Sequence, residues 1–128
     1  MSKSMKEVTQ SLGLTINSIR YYEKVGILPA VARDENGHRK FSEKDLALLQ
    51  LIKMMRTSGM SIKNLKHYID LLLEGDSTIA KRKAVLEQQL SKLKSDREQL
   101  DRTIDQLERK IKDYEAELLP YELDHLSD

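Results

Sequence analysis

Residues Thr15 to Leu28 read Thr-Ile-Asn-Ser-Ile-Arg-Tyr-Tyr-Glu-Lys-Val-Gly-Ile-Leu. Thr15 has the side chain to cap a helix running from Ile16 to about Lys24, and Gly26 closes it. Upstream, Ser4 can cap a shorter helix starting near Met5, with Glu7 in its first turn, until Gly13 interrupts it between Leu12 and Leu14. Two short helices joined by a Gly-bearing turn make a helix-turn-helix. On the second helix Ile16 and Ile19 are expected to face the core. Asn17, Tyr21 and Lys24, spaced i, i+4 and i+7, then point outward with Arg20 beside them. A cap, a basic residue and two neighbouring tyrosines on one short helix are the composition of a helix that enters a DNA groove.

Working outward, Pro29 ends this unit. Residues 31–41 read as short strand, turn, short strand, with Asn36-Gly37 as the hairpin signal and Arg33, Arg39 and Lys40 beside the turn. A basic hairpin after a helix-turn-helix is a wing; a solvated surface hairpin is the other reading. Ser42 begins the next helix, whose Leu46, Leu49, Ile52 and Met55, with Leu48 and Leu51, form a core-facing pattern ending at Gly59. Ser61 caps a further helix with Ile62, Leu65, Tyr68, Ile69 and Leu72 as its apolar stripe. Gly75 and Asp76 close the first domain, expected to span residues 1–76.

From residue 77 to 119 the pattern becomes heptad. Ile79, Leu86, Leu93, Leu100, Leu107 and Tyr114 occupy d; Leu90, Ile104, Ile111 and Leu118 occupy a, where Lys83 and Arg97 are the exceptions. Such a stripe on a monomer calls for a partner. Leu86, Leu90, Leu93, Arg97, Leu100, Ile104, Leu107 and Ile111 are therefore read as dimerisation residues of a coiled-coil helix. Pro120 is expected to end it, leaving a short acidic tail over 120–128.

Composition narrows the function. Of 128 residues, 39% are hydrophobic and 34% charged, which suits a small domain carrying a long solvated helix. The net charge of +1 conceals an asymmetry: residues 1–69 hold twelve Lys/Arg against six Asp/Glu, residues 70–128 ten against fifteen. A basic front half fits contact with a polyanion. There is no Cys, so disulfides, thiolate metal sites and thiol sensing are excluded. No apolar run reaches the ~20 residues that span a bilayer, and no signal peptide is visible, so a cytoplasmic protein without a membrane partner is expected. His67 and His125 make no ligand cluster, and no cofactor is expected. No nucleophile–base pair or phosphate-cradling loop points to an enzyme.

Residues 5–76 resemble the MerR family of bacterial transcription regulators. The helix-turn-helix, Ile19-Arg20-Tyr21-Tyr22-Glu23 followed by Gly26-Ile27-Leu28, Asn36-Gly37 with Arg39, and the paired helices after them carry the resemblance. Family members dimerise through an antiparallel coiled coil, which the helix after residue 78 fits. The implied fold is all-α with a small β wing: a winged helix-turn-helix followed by a long antiparallel coiled-coil dimerisation helix. The run from Glu74-Gly75-Asp76 into the Lys/Glu-rich helix looks most like the aldehyde- and thiol-stress branch. Met54 stands where that branch often has its cysteine, so thiol alkylation is not the switch here. His38 and Phe41 stand where many members have Tyr, which at Phe41 removes a hydroxyl that could reach a phosphate. No C-terminal ligand-binding domain is expected. The resemblance implies that any small-molecule effector binds between the long helix and the partner's DNA-binding domain, lined by residues 53–60 and 114–121, with no ligand chemistry legible.

The resemblance implies a homodimer on an inverted repeat in double-stranded promoter DNA, distorting an overlong spacer so that RNA polymerase engages both promoter elements. Arg20, Tyr21, Arg39 and Lys40, with Lys24 and Arg33 behind them, are expected at phosphates. Asn17 and Ser18, after the capping Thr15, are placed for base edges, and Arg20 for guanine; His38 belongs to the same wing. Tyr22 either packs in the core or touches DNA, and Arg20 either reaches DNA or pairs with Glu23. Arg97, near the midpoint of 79–118, either sets register with Asp101 or leaves the seam solvated. An architectural or partition-type winged-helix protein is the alternative reading; a coiled-coil interaction protein fits the basic front half poorly.

Overall fold

The computed structural model describes residues 2–118 and Leu126. Ser4 opens α1 (Met5–Leu12) through a reciprocal cap with Glu7: the Glu7 amide donates to Ser4 Oγ at 3.2 Å and the Ser4 amide to Glu7 Oε1 at 3.0 Å. The Ser4 amide first, and then the Ser4 side chain, hold the Glu7 carboxyl below its ordinary pKa. Gly13 ends α1 in the left-handed region, φ 67°. Thr15 then caps α2 (Ile16–Lys24) by accepting from the Ser18 amide at 3.0 Å. Ser42 caps α3 (Glu43–Thr57) reciprocally with Asp45, and Ser61 caps α4 (Ile62–Glu74). A 3₁₀ turn (Asp76–Thr78) leads into α5 (Ile79–Asp113), which continues as a π-helical turn (Tyr114–Leu118).

One core joins the first four helices. Val8 of α1, Ile19 and Tyr22 of α2, Leu48, Leu49, Ile52 and Met55 of α3, and Leu65, Tyr68 and Ile69 of α4 are buried together with Ile27, Leu28, Val31, Phe41 and Met60 from the connections. Leu71 is buried as well, although the stripe read from the sequence omitted it. The expectation for Ile16 is corrected: it is 44% exposed, and Tyr22, three residues after Ile19, takes the inward position. Ile16 sits in the first turn, where α2 has not yet reached the packed layer.

The 31–41 connection departs from the expected two-stranded hairpin. Among the described residues β pairing is confined to two isolated antiparallel bridges, Arg33 with Arg39 and Lys3 with Phe41. Asn36-Gly37 is not a two-residue turn either, because among the described residues none other than glycine has positive φ. Glu35, Asn36 and Gly37 form a three-residue loop closed by Asp34 N–H to His38 O at 2.8 Å, with Gly37 alone at φ 82°. The Lys3 bridge ties the N-terminal segment to Phe41, which is wholly buried.

The chain divides into two compact units, Met1–Gln89 and Leu90–Asp128, so the first continues past the 76/77 boundary read from the sequence. Thr78 explains the difference: it is 2% exposed and donates to Leu71 O at 2.6 Å. Arg82 bonds Thr78, Val85 packs on the core, and Gln89 donates to Ser58 O at 2.7 Å. These residues use a different face of α5 from the heptad stripe. The stripe stays in solvent: Leu86, Leu90, Leu93, Leu100, Ile104, Leu107 and Ile111 are all exposed, and Arg97 with them. Pro120, Tyr121, His125 and most of the acidic tail lie outside the described residues.

Candidate nucleic-acid interface

The exposed side of α2 carries Asn17, Arg20, Tyr21 and Lys24. Ile19 and Tyr22 hold the opposite side in the core, so the outward residues sit on a rigid support. Tyr21 is 46% exposed and its ring lies 6.1 Å from that of Tyr22. Ser18 is partly covered, and its hydroxyl accepts from Thr15 Oγ1 at 2.9 Å. Thr15 and Ser18 therefore build the first turn of the helix as well as facing outward.

Two shallow clefts flank α2, each of about 330 Å³. On one side Arg20 and Ile16 meet Ser4, Met5 and Lys6 of the N-terminal segment and Arg33, Gly37, His38 and Arg39 of the loop. On the other, Asn17, Ser18, Tyr21 and Tyr22 meet Arg56 and Ile62. Lys6 and Arg56 are the residues that sequence reasoning missed. Each is remote from α2 in the chain, and only packing of α1 and of the α3–α4 turn brings it alongside. Arg56 also donates to Met60 O at 2.6 Å, which fixes that turn.

The loop is held to α2 by an ion pair the sequence reading assigned elsewhere. Arg39 Nε donates to Glu23 Oε1 at 2.7 Å, and the two side chains are 15% and 17% exposed. Glu23 Oε2 also accepts from the Val31 amide at 3.5 Å. Glu23 thus pairs with Arg39 and not with Arg20, which keeps its guanidinium on the open face. Tyr22 is 9% exposed and belongs to the core cluster, while its outer edge lines the second cleft. Arg33 Nη1 donates to Gly37 O at 2.7 Å, stiffening the loop from within while the residue stays exposed. Lys40 is exposed at the loop base, and its amide donates to Ala32 O at 2.7 Å.

Asp34 organises the tip. Its Oδ1 accepts from the Asn36 amide at 2.9 Å and the His38 amide at 3.0 Å. Those donors, the His38 amide first, hold its carboxyl below the ordinary aspartate range. The result is a tip bearing Arg33, His38 and Lys40 beside the internally satisfied Asp34 and an exposed Glu35. Among the described residues no group of three or more His, Asp or Glu could hold a metal ion, and no helix is long and apolar enough to cross a membrane.

A helix with a polar, cationic outer face between two clefts that add Lys6, Arg33 and Arg56 can follow a groove while cations on both sides meet phosphates. Comparisons with known proteins agree with this geometry. Residues 3–72 match the MerR HTH family regulatory protein domain and residues 46–110 the MerR DNA-binding domain. The chain is similar to the HTH-type transcriptional regulator AdhR of Bacillus subtilis, 40% identical over 90 residues that cover 70% of this chain and 64% of AdhR. A MerR family transcriptional regulator structure from Listeria monocytogenes superposes with TM-score 0.79 at 33% identity, covering 98% of this chain and 96% of that one. The MerR family regulator HiNmlR, solved bound to promoter DNA, superposes with TM-score 0.75 at 35% identity, covering 90% and 91%. With the family's regulatory domain matched over residues 3–72 and solved family members superposing along most of its length, the chain belongs to the MerR family of helix-turn-helix regulatory proteins.

Proposed function

We propose that this chain is a promoter-binding transcription regulator that acts as a homodimer, each copy offering α2 to one half-site of an inverted repeat. The observation that carries the reading is the outer face of α2, polar and cationic, between two clefts that add cations from distant parts of the chain. The similarity to HiNmlR, a family member bound to promoter DNA, supports it. In this reading Asn17 and Arg20 face base edges, and Tyr21, Lys24, Arg33, His38 and Lys40 lie along the backbone. Thr15 and Ser18 place the helix start near a phosphate, and the 31–41 loop serves as the wing. Tyr22 and Arg39 support the interface from behind.

The exposed stripe of α5 is the dimerisation surface, as a coiled coil between two copies, which leaves no large apolar seam in water. The dimer then distorts the spacer between two promoter elements so that RNA polymerase engages both. A nuclease protection footprint upstream of this protein's own gene and its neighbours tests the reading. Protection of an inverted repeat between promoter elements, with enhanced cleavage at its centre, is the expected result. Protection away from promoters would instead favour an architectural role.

A further inference from the structure

Ile16 is the first residue of α2 and is 44% exposed, while Ile19 and Tyr22 hold the helix to the core from its other side. It lines the cleft on the loop side of α2, in the company of Lys6, Arg20, Arg33 and Arg39. Met5, the other apolar side chain of that cleft, is half-buried against the core. Among the described residues of the cleft, Ile16 is therefore the apolar side chain that stands open beside the cations.

Its position decides what it can meet. The N-terminal residues of the second helix of a helix-turn-helix come closest to base edges. Each Cα–Cβ bond of a helix leans toward the N-terminus, so the Ile16 side chain projects from the leading end of α2. Branching at Cβ restricts its rotamers, and little side-chain entropy is lost when its surface is covered. The other outward residues of α2, Asn17, Arg20, Tyr21 and Lys24, all end in polar groups. The major groove presents one apolar group to an aliphatic side chain, the C5 methyl of thymine.

We infer that Ile16 reads a thymine methyl in each half-site, a specificity contact beside the polar ones of Asn17 and Arg20. This rests on the DNA-binding reading above and adds the base that the start of α2 selects. Cations of the same cleft hold the backbone on that side, which shuts water away from the isoleucine and the methyl. Cytosine at that place offers no methyl to cover. A purine sets its N7 acceptor against an aliphatic surface and strips it of water without a donor in exchange. Thymine is the base that gains at this position.

The test begins with the full-length chain selecting duplexes from a pool with a randomised core. Each thymine of the enriched inverted repeat is then replaced, in both half-sites at once, by deoxyuridine, which removes the methyl and keeps the base pair. At one thymine per half-site the replacement is expected to weaken parent binding about tenfold, from about threefold for each covered methyl. Ile16→Ala is expected to weaken binding to the thymine duplex by a similar factor. On the deoxyuridine duplex it is expected to bind within about twofold of its own thymine value, because the two changes remove one contact. The ratio between duplexes is taken within each protein, so a loss of folded protein cancels. Parent binding unmoved by every replacement would overturn the thymine contact. So would a loss on deoxyuridine as large in Ile16→Ala as in the parent, and both results leave DNA binding standing. A pool from which no inverted repeat is enriched would overturn the DNA-binding reading beneath it.

Discussion

Arg20 and Arg39 carry the same charge and lie on the same cleft, yet the first is open on α2 while the second donates to Glu23 at 2.7 Å. An exposed guanidinium contributes little to folding and is free to meet a phosphate or a guanine edge. A mostly covered, hydrogen-bonded pair is structural, and leaving one partner alone costs about 1–2 kcal/mol. Arg20→Ala should therefore lower affinity for target DNA at least about tenfold with helicity and urea midpoint unchanged. Arg39→Ala and Glu23→Gln should both shift the urea midpoint downward and weaken DNA binding only as the loop loosens. Equal stability losses for Arg20→Ala and Arg39→Ala would show that the two arginines share one role. Arg20 was legible in the Ile-Arg-Tyr-Tyr-Glu run because its neighbours fix its side of the helix. The pairing of Arg39 was not, since sixteen residues separate it from Glu23 and only the folded loop closes that distance.

At the scale of elements, the 31–41 loop shows how local chemistry decides shape. A basic turn was readable from Arg33, Gly37, Arg39 and Lys40, but not which residue closes it. Asp34 does so by accepting two backbone amides, and with only Gly37 left-handed the loop takes three residues and not two. The lowered pKa of Asp34 gives the pH dependence its sign. A carboxyl depressed in the folded state adds order at pH above its unfolded value of about 3.9, and that order is lost as pH falls through the lower folded value. The amide resonance of Asn36 should therefore show its large acid-side movement only below the ordinary carboxylate range, as Asp34 is protonated. Movement that begins well above that range would remove Asp34 as the group that closes the tip. In α5, periodicity identified the exposed stripe, whereas Arg82, Val85 and Gln89 went unnoticed. Their contacts lie on the cap of α4, the core and the α3–α4 turn, none of which a heptad pattern encodes.

For the whole molecule, the basic first half and acidic second half fit the proposed division between a part that meets DNA and a part that meets another copy. Distorting a promoter spacer costs of order 1–6 kcal/mol for smooth bending, so contacts at both half-sites must supply it. A dimer is the means of engaging both at once. On templates differing only in spacer length, transcription should rise with added protein on the overlong spacer and rise little on the normal one. Equal activation on both would remove spacer distortion from the mechanism. By itself the sequence determined the helices, their caps, the cationic side of α2 and the apolar stripe of α5. Each of these is written in side chains a few residues apart, through capping and helical period. Only the tertiary structure decided which cations gather around α2, that Glu23 holds Arg39, that Tyr22 and Phe41 are core, and that α5 is anchored through Gln89. Those contacts join residues far apart in the chain, and burial and pairing at such distances exist only once the core has closed.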